Sequence, residues 1–118
     1  MSWTKHKTEK KGNGVGEYKL EKSDYFSTKE FLEKYGEDVT IVGGYINTKS
    51  KLGAHPTLFV DTPDGVKGLS LNKSYTEQFE AIFNDPDDVK TILNGQATAK
   101  LVKRHSETYK TDYVALDI

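Results

Sequence analysis

The stretch VTIVGGYINT, from Val39 to Thr48, decides the fold of this 118-residue chain. β-Branched residues dominate it, which is typical of a strand. Gly43 and Gly44 interrupt the apolar run, and glycine inside a strand marks a bulge or a sharp bend. The stretch therefore predicts a strand that bends in the middle and can take part in both halves of a curled sheet.

Two strands follow this bent strand, and two more close the sequence. The segments TLFVDT (Thr57 to Thr62) and VKGLSL (Val66 to Leu71) are separated by PDG, a tight-turn sequence. The last two strands run from Gln96 to about Lys103 and from about Lys110 to Ile118. The polar tip KRHSETYK joins them into a hairpin.

Helical signals lie before the first strand and between the third and the fourth. The segment STKEFLEKYGED predicts a short helix that begins with a capping box of Ser27 and Glu30. A second capping box, Ser74 with Glu77, opens a later helical block, and Asp85 restarts that block as an N-cap.

The order after the first helix is β-β-β-α-β-β, which is the order of a five-stranded OB-fold barrel. We therefore predict a mainly-β OB-fold domain over residues 17–118. The N-terminal helix is part of this domain and precedes its first strand. Residues 1–16 are predicted to be a flexible basic tail, because GNGVG does not favour regular structure. Other α+β folds share this order and stay open as alternatives.

Composition restricts the class of protein. A mean hydropathy of −0.69 and a charged fraction of 30% predict a soluble chain. No apolar run approaches the roughly 20 residues of a membrane helix, and the N-terminal stretch lacks the apolar segment of a signal peptide. We expect a cytoplasmic protein without a membrane partner. The absence of cysteine excludes disulfides and thiolate chemistry.

Catalytic patterns are missing from the sequence. His6, His55 and His105 are far apart and lack the spacing of metal ligands. There is no G-x-S-x-G elbow, and the carboxylates concentrate in predicted helix caps and turns. We expect no enzymatic activity, no metal and no cofactor.

The net charge of −1 hides an uneven distribution. Acidic residues cluster between residues 74 and 94, whereas TKSKLGAHP and KRHSETYK, the two loops that grip ligands in an OB fold, are basic. Single-stranded nucleic acid needs cations along its phosphates and flat side chains for its bases. The candidate cations are Lys49, Lys51, Lys103, Arg104 and Lys110, and the candidate rings are His55, His105 and Tyr109.

Strand alternation places a further ring between these loops. In TLFVDT, Leu58 and Val60 share one face, and Phe59 lies on the other with polar neighbours. These neighbours predict that Phe59 is exposed, so that a base can stack on it. Burial by a tail or by a partner is the alternative.

Neighbouring strands complete the predicted site around this ring. Gly68 and Ser70 have no side chain or a small one, and would leave the sheet surface beside Phe59 open. Tyr45, on the bent strand, is a weaker stacking candidate, and Lys67, near the turn, is a further candidate cation.

With these residues in place, the chain resembles small phage-encoded single-stranded-DNA-binding proteins, in particular those of lactococcal phages. The resemblance rests on STKEFLEKYGE leading into DVTIVGGYINTKS, on PTLFVDTPDG and on ATAKLVKRH…YVALDI, over about residues 25–118. It implies an OB fold that protects single-stranded DNA in phage DNA replication and recombination in the host cytoplasm, beside a RecA-type recombinase. Bacterial single-strand binders end in a flexible acidic tail, whereas DYVALDI is typical of a strand, so we expect no tail-mediated recruitment.

The sequence thus predicts single-stranded DNA binding without sequence preference. The two basic loops would capture the strand, Phe59 would stack a base, and Tyr109, Tyr45 and His55 would contribute less. The alternative is a protein–protein interaction module that uses the same face, which the near-zero net charge favours. RNA is a third possibility, since no residue identifies a reader of the 2′-hydroxyl. Exposed strand edges permit a homodimer without requiring one.

Overall fold

The computed structural model describes residues 14–48 and 53–117. In this part of the chain, seven strands form one sheet: β1 (Gly14–Val15), β2 (Tyr25–Ser27), β3 (Asp38–Asn47), β4 (His55–Thr62), β5 (Gly65–Ser70), β6 (Ala97–Ser106) and β7 (Thr111–Asp117). Three α-helices accompany the sheet: α1 (Thr28–Tyr35), α2 (Thr76–Phe83) and α3 (Pro86–Leu93). The protein is mainly β, and its sheet is curled into a half-barrel.

The curl of the sheet depends on β3. The strand order is β2-β5-β4-β3-β6-β7, with β1 attached to β3. One edge of β3 pairs with β4, while its other edge pairs first with β6, through residues 38–41, and then with β1, through Gly44 and Tyr45. The predicted bulge is confirmed, because the register with β4 shifts between Ile41 and Gly43.

Both glycines of the bend are required by close packing. A Cβ atom on Gly43 would lie 2.5 Å from the carbonyl oxygen of Val15, and one on Gly44 would lie 2.9 Å from that of Thr57. The Gly44 position would also crowd the ring of Phe83 at 2.8 Å. The bare backbone therefore lets β1 approach β3 on one side and α2 approach it on the other.

The core lies between one face of the sheet and the helices. Leu58, Val60 and Leu69 on β4 and β5 have no exposed surface, and they join Phe31 of α1 and Phe79 of α2 in one apolar cluster. Complete burial of such a side chain stabilises the fold by about 1.5–3 kcal/mol. The prediction that Leu58 and Val60 face the core is confirmed.

Local capping explains where two helices begin. At α1 the Ser27 hydroxyl accepts a hydrogen bond from the Glu30 amide, and the Glu30 carboxylate accepts one from the Ser27 amide. At α3 the Asp85 carboxylate accepts from the amides of Asp87 and Asp88. Both predicted caps are formed.

The second predicted capping box is wrong. A 3₁₀ turn, Lys73–Tyr75, precedes α2, and the Asn72 side chain accepts from the Ser74 amide at 2.9 Å. Ser74 thus lies inside a turn, so its hydroxyl does not cap α2, and the side chain of the N-cap residue Tyr75 makes no capping hydrogen bond.

The strand count also corrects the prediction of five. β1 and β2 arise from the segment before α1, and the expectation that GNGVG holds no regular structure is wrong for Gly14 and Val15. Val15 is 4% exposed and belongs to the core cluster. The bend of β3 leaves the Gly44–Tyr45 edge unpaired by β6, and β1 supplies partners to those backbone groups. Residues 1–13 of the predicted tail lie outside the described part.

Each of the three α-helices has eight residues, and in the described ranges no helix is long and apolar enough to cross a membrane.

Candidate nucleic-acid interface

The face of β3, β4 and β5 that points away from the core is called the outer face here. Phe59 lies at its centre, because alternation along β4 turns it away from Leu58 and Val60. In register, Phe59 is flanked by Gly43 of β3 and by Gly68 of β5. Two positions without side chains therefore border the ring.

Phe59 is not exposed, which corrects the sequence prediction. Only 5% of it is accessible, because the Tyr18 ring meets it edge-on with centroids 5.1 Å apart and an interplanar angle of 61°. The Tyr45 ring lies on its other side at 5.7 Å. Residues 16–24, which we call the strap, cross the outer face and bring Tyr18 there. Burial, the alternative to exposure, is therefore correct, but the covering residue Tyr18 lies just after the predicted tail and not within it.

The sheet surface beside Phe59, which was predicted to be open, is also covered. The Tyr25 ring fills the space above Gly68, so closely that a Cβ atom there would overlap the ring. Burial, and after it the neighbouring Tyr45 hydroxyl, raises the pKa of the Tyr25 hydroxyl above its ordinary value. The outer face thus carries four packed rings instead of one exposed ring.

A cleft of about 430 Å³ remains between the strap and the sheet. Its walls include Tyr18, Lys19, Tyr25, Tyr45 and Phe59. This volume falls within the ordinary range of small-ligand pockets, about 300–1,000 Å³. Tyr18 is 39% exposed and Tyr45 is half-buried, so both rings can be reached from solvent, unlike Phe59.

The hairpin of β6 and β7 continues beyond the body of the protein. We call residues 103–113 the hairpin arm, and all of them except Ser106 are exposed. Tyr109 at its tip is 80% exposed and Tyr113 is 48% exposed. Lys110 has a positive φ of 51°, which turns the chain at the tip. The arm therefore presents a ring and cations away from the core.

Part of the arm's charge is neutralised internally. Arg104 lies 4.0 Å from the Asp117 carboxylate, and the His105 ring lies 2.8 Å from Asp112. Among the described residues, Lys103 and Lys110 have no acidic partner. The arm is therefore less basic than its cation content predicts.

Lys67, a candidate cation in the sequence analysis, is held in an ion pair with the strap. Its ammonium lies 2.7 Å from the Asp24 carboxylate, and the side chain is only 17% exposed. The hydrogen bond between them lowers the pKa of Asp24 and raises the pKa of Lys67. This ion pair fastens the end of the strap to β5.

The remaining predicted residues are divided between the outer face and the part not described. His55 begins β4 opposite Asn47, shares the parity of Phe59, and has a ring nitrogen 3.4 Å from the Gly53 carbonyl oxygen. Lys49 and Lys51 lie outside the described residues. Tyr18 and Tyr25 were missed by the sequence reasoning, because no local pattern links the strap to β4 or β5.

In the described ranges, no three His, Asp or Glu side chains converge into a group that could hold a metal ion. No known protein family matches the chain, and no curated protein or solved structure is detectably similar to it. The resemblance to phage single-strand binders therefore stays a prediction from the residues quoted above.

Proposed function

We propose that the protein binds single-stranded DNA without sequence preference on its outer face and hairpin arm. The observation that carries the proposal is the cluster of Tyr18, Tyr25, Tyr45 and Phe59 on the outer face, with solvent access at Tyr18 and Tyr45. Aromatic rings that solvent can reach suit bases of any identity, because every base has a flat face.

An OB-type barrel is the framework we propose for this face. β3, β4, β5, the α2–α3 pair, β6 and β7 follow the OB order, and β3 pairs with both β4 and β6. In this interpretation β1 and β2 are additions to the five-stranded plan. Helix α1 contacts both β5 and β7, and so bridges the two ends of the curled sheet.

The charge distribution supports an approach from the outer face. Helices α2 and α3 pack on the core side of the sheet, and their exposed residues include Glu77, Glu80, Asp87 and Asp88. Phosphates are repelled from that side. Lys19 at the cleft and Lys103 and Lys110 on the arm lie among the proposed contact residues.

Stacking and charge play different parts in the proposed mechanism. The cations attract the backbone and release its counterions, which makes the affinity depend on salt. Each base that stacks on an accessible ring, Tyr45 or Tyr109, then adds about 1–3 kcal/mol. From the resemblance we further propose a role in protecting single strands during phage replication and recombination, beside a RecA-type recombinase in the host cytoplasm.

One observation favours a second candidate, a protein–protein interaction module. Two arm side chains, Arg104 and His105, are held by acids of the same hairpin, while Tyr109 and Tyr113 are exposed. A hairpin with paired charges and exposed rings suits a protein surface as well as a nucleic acid.

The test is fluorescence anisotropy of labelled oligo-dT, of a duplex and of matched RNA, each titrated with the protein at low and high salt. Single-stranded DNA binding predicts tight association with oligo-dT, weaker association with duplex, and a steep loss of affinity as salt rises. A lack of binding to all three nucleic acids at low salt would refute the proposal and leave the protein-interaction alternative.

A further inference from the structure

The strap is held at both ends and irregular in the middle. Before it, Val15 is buried in the core cluster. Near its end, Asp24 makes the 2.7 Å ion pair with Lys67. Between these anchors, residues 16–21 form neither helix nor strand, and residues 16–19 are exposed. The middle of the strap can therefore change conformation while both anchors stay in place.

Tyr18 is the strap residue that covers the ring of Phe59. Its edge faces Phe59 at 5.1 Å, yet 39% of Tyr18 stays exposed. An edge-on ring pair contributes about 0.5–1.5 kcal/mol beyond the area it buries, and a base stacked on a ring contributes about 1–3 kcal/mol. An incoming base can therefore outcompete Tyr18 for Phe59.

The surroundings of Phe59 favour such an exchange. The ring lies at the centre of the outer face and is bordered by Gly43, which leaves no side chain between Phe59 and the strap. The cleft beside it already opens to solvent between Tyr18 and Tyr45. A flat group that enters this cleft meets Phe59 once Tyr18 has turned outward.

We propose that Tyr18 occupies, in the free protein, the place that an unpaired nucleobase takes in the complex. This inference rests on the proposed function and adds an autoinhibitory contact to it. On binding, the Tyr18 ring leaves Phe59, a base stacks in its place, and Val15 and Asp24 keep the strap attached. A paired base cannot enter the cleft in this way, so the exchange also favours single strands over duplex.

The test compares Tyr18→Ala with the parent protein in oligo-dT binding. Removal of the competing ring should raise the affinity by about two- to tenfold, the range that corresponds to an aromatic pair contact. Tyr109→Ala is the matched control, because it removes an exposed ring that does not cover Phe59, and it should lower the affinity. A Tyr18→Ala protein that binds oligo-dT equally or more weakly would overturn the inference while leaving the proposed function standing.

A second measurement uses the unmodified protein and does not depend on how the variant folds. Nuclear Overhauser contacts between the rings of Tyr18 and Phe59 should vanish on addition of oligo-dT, and contacts between Phe59 and base protons should replace them. Persistence of the Tyr18–Phe59 contacts in the saturated complex would overturn the inference. If oligo-dT binds neither the parent protein nor Tyr18→Ala, the proposed function fails and the inference fails with it.

Discussion

Lys103 and Lys110 of the hairpin arm have no acidic partner among the described residues, and their removal should weaken single-strand binding and flatten its salt dependence. Lys103→Gln and Lys110→Asn are suitable changes, because each removes one charge. Asn also tolerates the positive φ of 51° at position 110. Each phosphate contact contributes about 0.7 to the slope of log affinity against log salt for a single strand, so the double variant should lose about 1.4 of that slope.

The assay is anisotropy of labelled oligo-dT over a range of salt concentrations. Between about 50 and about 200 mM salt, the affinity ratio of parent to double variant should shrink about sevenfold, as this slope difference requires. Lys90→Gln on α3 is the matched control, since it removes a charge from the acidic side and should leave the slope unchanged. A double variant with the parental slope would refute the argument that the arm contacts the DNA backbone.

Three further predictions concern the framework of the site. Gly43→Ala should lower the stability by about 1–3 kcal/mol through overpacking against the Val15 carbonyl, and an unchanged thermal midpoint would contradict the close approach of β1. Because the folded state lowers the pKa of Asp24, the ion pair with Lys67 should stabilise the protein above the ordinary carboxyl pKa of 3.8 and lose this effect as the pH falls through the lowered value. The urea midpoints of Asp24→Asn and parent should therefore differ at neutral pH and converge in acid, whereas equal midpoints at neutral pH would refute this. Asp85→Ala should cost about 1 kcal/mol as a lost N-cap, and a urea midpoint equal to that of the parent would contradict its capping role.

Local signals in the sequence predicted the parts of the fold that depend on near neighbours. The caps at Ser27 and Asp85 each involve residues within three positions, and the turn PDG joins adjacent strands. The glycine pair predicted the bend of β3 because few other reasons place two glycines inside an apolar strand. These features are determined by residues close together in the sequence, so a short segment is enough to predict them.

The covering of the outer face could not be predicted in this way. Asp24 and Lys67 are 43 residues apart, and nothing in either segment marks the other as its partner. Tyr18 and Tyr25 reach the sheet only because the glycines on β3 and β5 leave room, a match between distant surfaces. Polar neighbours along β4 correctly predicted that Phe59 faces away from the core, but alternation cannot tell an exposed ring from one covered by another segment.

The ion pairs between β6 and β7 could not be predicted either, because they also join residues that are not close in the sequence. Arg104 is a candidate free cation and His105 a candidate ring in the sequence, but cross-strand geometry places Asp117 and Asp112 within reach of them. Lys103 and Lys110 are the arm cations that this geometry leaves without an acidic partner among the described residues. The sequence therefore overestimates the free positive charge of the arm, because it does not show that Arg104 is paired.

The most direct test of the account maps the oligo-dT contacts on the protein by two-dimensional amide NMR. We predict the largest shifts at Gly43 and Gly68 on the outer face and along residues 103–110 of the arm, with small changes in α2 and α3. Large shifts confined to the acidic helices, or no shifts at saturating oligo-dT, would contradict the claim that the outer face and the hairpin arm bind single-stranded DNA.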